Sequence, residues 1–207
     1  MQVSLHTIGK KFGREWIFRG VEHTFEPGKH TVVLGANGSG KSTLLQVIAG
    51  SMMAGEGTIS YTLNGKKIEQ EDVYRYISIA SPYLDLMDDF TLRESIAFHA
   101  QFKSWKNGLD NKKVLALSGL EAAADKQLKN FSSGMKMRVR LLLAILSDTP
   151  LLLMDEPCSN LDQQGCEWYA NLVAEYAKDR TVIVCSNQVK EEYFFCTEQL
   201  SVENYKR

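Results

Sequence analysis

The sequence predicts an α/β fold: a mostly parallel sheet, an N-terminal antiparallel β subdomain and a helical insert at about residues 83–130. Three observations predict it. The apolar run Thr31-Val32-Val33-Leu34 leads at once into a glycine-rich loop, Gly35 to Gly40, and then into the helical spacing of Leu44, Leu45, Val47 and Ile48. A second run, Leu151 to Met154, is wholly apolar, as a parallel strand buried on both faces requires, and ends in Asp155 and Glu156. Between the two, residues 103–130 are rich in charge and poor in β-branched residues, which suits a helical insert.

The bulk properties narrow the function. A chain of 207 residues is long enough for one α/β domain with a sizeable core, and we read 1–207 as a single domain. Its net charge is −1 and no long basic run occurs, so it lacks the electrostatic footprint of a nucleic-acid binder. No apolar stretch approaches the ~18 residues of a membrane span. The run Leu141 to Leu146 sits just after Arg138 and Arg140. Met1-Gln2-Val3-Ser4 lacks the charged and apolar regions of a signal peptide. Cys158, Cys166, Cys185 and Cys196 show no C-x-x-C spacing and read as reduced thiols of a cytosolic protein. His6, His23, His30 and His99 have no metal-ligand spacing.

In chain order, residues 1–34 read as three strands. Val3, Leu5 and Ile8 lie in the first, Trp16, Phe18, Val21 and Phe25 in the second, and the turn Pro27-Gly28 precedes the third. Phe12-Gly13 is a connecting loop whose aromatic ring is either core or a stacking platform for a purine base. After the first helix, Gly55 to Tyr61 turns into a strand and Asn64-Gly65 makes a hairpin. Tyr76 to Ala80 is a short strand, broken at Ser81-Pro82. Thr91 caps a helix with Glu94 completing a capping box, and Ile96, Ala97, Ala100 and Phe102 form its apolar face. Lys112 to Leu117 and Glu121 to Leu128 read as short helices. Ser132 or Ser133 caps a long helix running to Ser147. Asp162 caps the next, with Tyr169, Leu172, Val173 and Tyr176 as its buried stripe. Thr181 to Cys185 is a buried strand, Lys190 to Phe195 a short helix and Gln199 to Glu203 a last strand.

The loop Gly35-Ala36-Asn37-Gly38-Ser39-Gly40-Lys41-Ser42-Thr43 matches the phosphate-binding pattern G-x-x-x-x-G-K-S/T in its required strand–turn–helix context. Its glycines let backbone N–H groups face an anion, and the helix adds its positive end. Lys41 offers a point charge for β- and γ-phosphates, and the Ser42 hydroxyl can ligate Mg²⁺. Asp155 and Glu156 fall at the carboxyl end of a buried strand, where ligands of open α/β sheets sit. There Asp155 holds Mg²⁺, directly or through water, and Glu156 orients and polarises an attacking water. Loop, helix and strand-end acids together describe a P-loop NTPase core. A small-molecule kinase would share the loop alone.

Taken in sequence, these pieces resemble the nucleotide-binding subunit of ATP-binding cassette (ABC) transporters over nearly the whole chain. Gly35 to Thr43 looks like that family's Walker A. Leu151 to Glu156 with Pro157 looks like its Walker B and catalytic glutamate. Phe131-Ser132-Ser133-Gly134-Met135, with Arg138 after it, looks like its signature, commonly Leu-Ser-Gly-Gly-Gln. Ser159-Asn160-Leu161-Asp162 looks like its D-loop, and Phe12 falls where the family places the aromatic that stacks on adenine.

The resemblance implies an ATPase using ATP and Mg²⁺. Two copies, or one copy and a relative, would close head to tail. Walker A of one would meet Ser132, Ser133 and Gly134 of the other across each ATP. It further implies a separate transmembrane permease docked on the insert, and a cytoplasmic protein held at the inner face of the membrane through that partner. Three departures bear on rate. Ser81 or Pro82 stands where the family has its Q-loop glutamine, with Ser81 able to reach water or Mg²⁺. Asn187 stands for the switch histidine and can donate to a γ-phosphate without carrying charge. Ser133 and Met135 replace a glycine and a glutamine. The alternative is a slow or non-hydrolysing ATP-dependent clamp of the same fold.

Overall fold

The computed structural model describes residues 1–206, and two sheets organise them. Strands β1 (Gln2–Phe12), β2 (Glu15–Phe25), β4 (Glu56–Leu63) and β5 (Lys66–Ile68) form an antiparallel sheet in the order β2-β1-β4-β5. Strands β3 (His30–Leu34), β6 (Ile77–Ala80), β7 (Leu151–Asp155), β8 (Thr181–Ser186) and β9 (Glu198–Ser201) form a parallel sheet in the order β6-β7-β8-β3-β9. The helices are α1 (Lys41–Ile48), α2 (Leu92–His99), α3 (Asn111–Leu117), α4 (Ser133–Leu146), α5 (Gln163–Tyr176) and the short α6 (Lys190–Tyr193).

The parallel strands β7 and β8 are buried at every residue, and their period-2 alternation feeds two separate cores. Leu152, Met154, Val182 and Val184 pack with α4, α5 and the insert. Leu151, Leu153, Ile183 and Cys185 pack with α1 and the antiparallel sheet. The sheet therefore has apolar cover on both faces, and Asp155 and Glu156 stand at its carboxyl edge.

Local signals set the helix ends. The Thr91–Glu94 capping box forms in both directions, and the Ser132 and Asp162 side chains accept N–H bonds from Met135 and Gly165. Asn64 and Gly65 both adopt positive φ, the geometry of a tight hairpin turn.

Three expectations are corrected. Glu121 to Leu128 is no helix: 3-10 turns at Glu121–Ala123 and Leu128–Asn130 replace it. Its backbone bonds elsewhere, with Arg93 N–H donating to Ala124 O and Leu128 N–H to Phe90 O, so the segment straps onto the start of α2. Phe102 lies beyond the end of α2 and is 70% exposed, off the apolar face. The last strand ends at Ser201, and a 3-10 turn, Val202–Tyr205, follows.

The C-terminal end of α4 is held by a residue from outside the helix. Arg180, 2% exposed, donates from its guanidinium to the carbonyls of Ser147 and Ile145. These are carbonyls at a helix end that otherwise lack intrahelical donors. Burial pushes the Arg180 pKa down to about 10, with Asp179 and Asp148 opposing the shift. Truncation by Arg180→Ala takes the guanidinium from Ile145 O, leaves Ser147 O with only the Thr149 N–H, and should lower unfolding free energy by about 1–3 kcal/mol in urea denaturation.

Candidate functional site

The loop after β3 curls because its glycines permit contacts that a Cβ would forbid. An added Cβ on Gly35 would lie 2.4 Å from Ser39 Oγ, and one on Gly40, at φ 98°, 2.5 Å from Ile17 Cγ2. Gly40 caps α1, so Lys41 to Thr43 present the first N–H groups of that helix. Lys41 is 4% exposed, and its ammonium donates to Gly35 O at 2.9 Å and Ala36 O at 3.2 Å. It also stands 3.9 Å from Glu156 Oε1. An ammonium has three donors, so one N–H remains for a phosphate oxygen.

Asn37, Gly38, Gly40, Lys41, Ser42, Thr43 and Glu156 line one cleft of about 330 Å³. Two residues that sequence reasoning missed, Ile17 from β2 and Tyr83 from the loop after β6, complete it. Ser42, Ser81 and Asp155 line an adjoining groove of about 790 Å³ between α1, β6 and the helical insert. Gly35 and Ser39 shape the loop from behind. Phe12, half-exposed at the end of β1 under the Lys10 ammonium, does not line the cleft. Neither does the exposed Asn187, nor do Ser132, Ser133 and Gly134 at the start of α4.

The end of β7 carries the charge chemistry. Asp155 is 2% exposed, and its Oδ2 accepts from Ser81 Oγ at 3.3 Å while Oδ1 has no hydrogen-bond partner. Burial raises its pKa and the Glu156 carboxylate adds to the rise; the Ser42 and Ser81 hydroxyls and Lys41 partly offset it. A desolvated, half-paired carboxylate beside two hydroxyls is the donor set of a hard divalent cation, so the residues fit Mg²⁺. Glu156 follows at φ 44°, a left-handed backbone that turns its side chain back over Lys41, and its N–H donates to Cys185 O at 2.9 Å.

The helix start at Ser132 packs against the loop after β7. A Cβ on Gly134 would lie 2.6 Å from the Asn160 carbonyl oxygen, so a glycine is required there. Ser133 is exposed, and a side chain at that position meets no such limit.

A further buried acid was absent from the sequence reading. Glu192 of α6 is 3% exposed and accepts from Ser186 Oγ and from the Cys158 N–H at 3.2 Å. The signal available was an acid one turn into the helix after an apolar strand.

An anion cradle at a helix start, opposed by acids at the carboxyl edge of a parallel sheet, defines a P-loop nucleotide-binding domain. The family model for the ABC transporter matches residues 18–159. Among individual proteins, the Nod factor export ATP-binding protein I of Burkholderia lata is 25% identical over 209 residues, covering 99% of this chain and 69% of that one. The linearmycin resistance ATP-binding protein LnrL of Bacillus subtilis is 30% identical over 195 residues, covering 91% of this chain and 62% of that one. The dimeric structure of a bacterial ABC transporter cassette superimposes with a TM-score of 0.78 at 21% identity, over 97% of this chain and 94% of that one. The chain belongs to the ABC transporter family, as its ATP-binding domain, and such domains are ATPases. Among the described residues no helix is long and apolar enough to cross a membrane.

The Glu192 carboxyl has a pH signature. Burial pushes its pKa from 4.5 up to about 7, with Glu156 and Asp155 adding to the rise and the bonds from Ser186 and Cys158 opposing it. A carboxyl with a higher pKa folded than unfolded contributes stability that is complete below about 4.5 and is lost as pH rises through about 7. Glu192→Gln cannot ionise, so thermal melts across that window should show the wild type losing stability relative to the variant.

Proposed function

We propose that this chain is the ATP-binding and ATP-hydrolysing subunit of an ABC transporter, one that dimerises on ATP to drive a separate membrane permease. The observation that carries the reading is Lys41 facing Glu156 in the loop cleft, with the unpaired oxygen of Asp155 in the groove that adjoins that cleft at Ser42. The loop N–H groups and Lys41 bind the phosphates. Ser42 and Asp155, with Ser81 beside them, hold Mg²⁺, which when bound neutralises charge on the phosphate oxygens. The Glu156 carboxylate orients the attacking water and takes its proton. Asn187 donates an amide N–H toward the γ-phosphate, and the Phe12 ring stacks on adenine.

Ser132, Ser133 and Gly134 act in trans. They do not line the cleft of their own chain, and they sit at a helix start whose N–H groups suit a phosphate. A second cassette, identical or related, brings them to the γ-phosphate. ADP lacks that group, so closure reverses after hydrolysis. The permease docks on the insert over the larger groove, where the exposed side chains of Tyr74, Tyr83 and Leu84 offer apolar surface. The subunit then works at the inner face of the membrane through that partner. The names of the relatives support a transporter role.

A second reading, a slow or non-hydrolysing clamp, is favoured by Ser81 and Asn187, because losing one charge-stabilising contact costs ~10²–10³ in rate. Steady-state ATP hydrolysis by the purified subunit with its partner decides between them. Turnover well above a Glu156→Gln control supports the ATPase reading, and turnover equal to it supports the clamp. Lys41→Ala should abolish nucleotide binding or hydrolysis; normal activity in it would remove Lys41 from the site. Asn187→His should raise turnover or leave it unchanged, and a large drop would show a site built around the amide.

A further inference from the structure

The buried acid of α6 has no part in the reading above. Its hydrogen-bond partners are a hydroxyl and a backbone N–H, neither charged. A carboxylate buried in that way adds little to stability, and a well-packed apolar residue commonly does better. The value of this side chain lies in what it joins. Ser186 ends β8, and the exposed Asn187 follows it directly. Cys158 lies in the loop after β7, between Glu156 and the Asn160 carbonyl that packs on Gly134.

We propose that Glu192 is a positioning residue for ATP hydrolysis, its buried carboxylate clamping the loop that carries Asn187 to the loop that carries Ser159 and Asn160. Each of its oxygens holds one loop: Oε2 takes the Ser186 hydroxyl and Oε1 the Cys158 N–H. The acid is itself anchored. Its carbonyl accepts from the fully buried Tyr169 hydroxyl at 2.8 Å, and its N–H donates to Val189 O at 3.1 Å. Ser186 Oγ also accepts the Val189 N–H at 3.2 Å, so the turn after Asn187 closes onto the same hydroxyl that Glu192 grips. On the other side the chain is stitched to β8 ahead of the clamp by Glu156 N–H to Cys185 O, and the loop closes on itself around Cys158 by Ser159 N–H to Glu156 O, both 2.9 Å. One side chain thus sets the spacing between the Asn187 amide and the loop beneath the in-trans helix start.

The inference rests on the hydrolytic reading, and its test separates the two. Glu192→Gln keeps one acceptor oxygen for the Cys158 N–H and replaces the other with an amide NH₂, so the Ser186 hydroxyl can no longer donate to residue 192 while packing volume is held. Glu192→Ala releases both. Four quantities are measured on the full chain at about pH 8, where the Glu192 carboxyl is ionised: melting temperature, amide hydrogen exchange, and kcat and KM for ATP. The expected result for Glu192→Gln is an unchanged or higher melting temperature, faster exchange in 157–161 or 186–189, and kcat about tenfold lower at constant KM. Glu192→Ala should speed exchange in both segments. A Glu192→Gln kcat within about twofold of wild type overturns the proposal, as does a loss of kcat accompanied by a lower melting temperature and a raised KM. If the wild type itself turns over no faster than Glu156→Gln, the hydrolytic reading fails. The clamp is then judged on exchange alone, and unchanged exchange in both segments overturns it.

Discussion

The fold takes a carboxylate out of water at Asp155 and leaves half of it unpaired. Burying β7 on both faces makes that unavoidable, because the strand runs from Leu151 through Asp155 with no exposed position. The effective cost of an isolated buried ion is several kcal/mol. A hydrogen bond to the charged group returns about 1.5–3. The single bond from Ser81 therefore leaves a deficit, and Lys41 donates to the loop carbonyls and not to Asp155. A carboxylate that its own chain does not satisfy is one suited to an incoming cation, and that is the physical basis for placing Mg²⁺ there. The elements around it follow from the same constraint. β8 fixes the backbone of Glu156, β6 delivers Ser81, and the loop after β3 delivers Lys41 and Ser42.

Close backbone approach is the second constraint, and it sorts the departures from the family pattern. Gly40 meets Ile17 and Phe18, and Gly134 meets the Asn160 carbonyl, so neither position admits a side chain. Ser133 occupies a solvent-facing place at the helix start and displaces nothing. The signature helix thus keeps the glycine that packing demands and varies where packing is silent. Ser81 is a different kind of departure. Its hydroxyl already donates to Asp155 and accepts from the Tyr83 N–H at 3.4 Å, which ties it to the carboxylate rather than to the cleft. Tyr83 reaches the cleft instead, and it also lines the larger groove.

What the sequence made legible was whatever local chemistry dictates. The strand–loop–helix at residues 31–48, the apolar strand ending in acids, and the caps at Thr91, Ser132 and Asp162 depend on neighbours within a few residues. What escaped depends on distant partners. The Glu121 to Leu128 segment has helical composition, yet its N–H and C=O groups find residues 90 and 93, and tertiary bonding overrides propensity. Arg180 stands just before a strand, and the carbonyls it holds at the end of α4 are distant in sequence. Glu192 sits on a short polar helix, and only the fold brings Cys158 within reach. Ile17 enters the cleft because the β1–β2 arm folds over Gly40, a contact no spacing in the sequence announces.

On the proposed mechanism, the two functional readings share every step up to hydrolysis. Moving a two-state equilibrium from mostly open to mostly closed needs a ligand that prefers the closed state by about 5.5 kcal/mol. A γ-phosphate held by Lys41 on one side and by serine hydroxyls and helix-start N–H groups on the other can supply that through a few charge-assisted bonds, each about 1.5–3 kcal/mol. None of those groups departs from what binding needs. Of the departures, Ser133 adds a hydroxyl at the helix start, while Ser81 and Asn187 in this mechanism stand next to the water and the γ-phosphate, where they alter the barrier and leave the closing affinity in place. A transporter and a clamp built on this chain would close equally well on ATP, and the distinction between them reduces to how quickly Glu156, with a neutral amide in place of a cation across the phosphate, lets the closed state go.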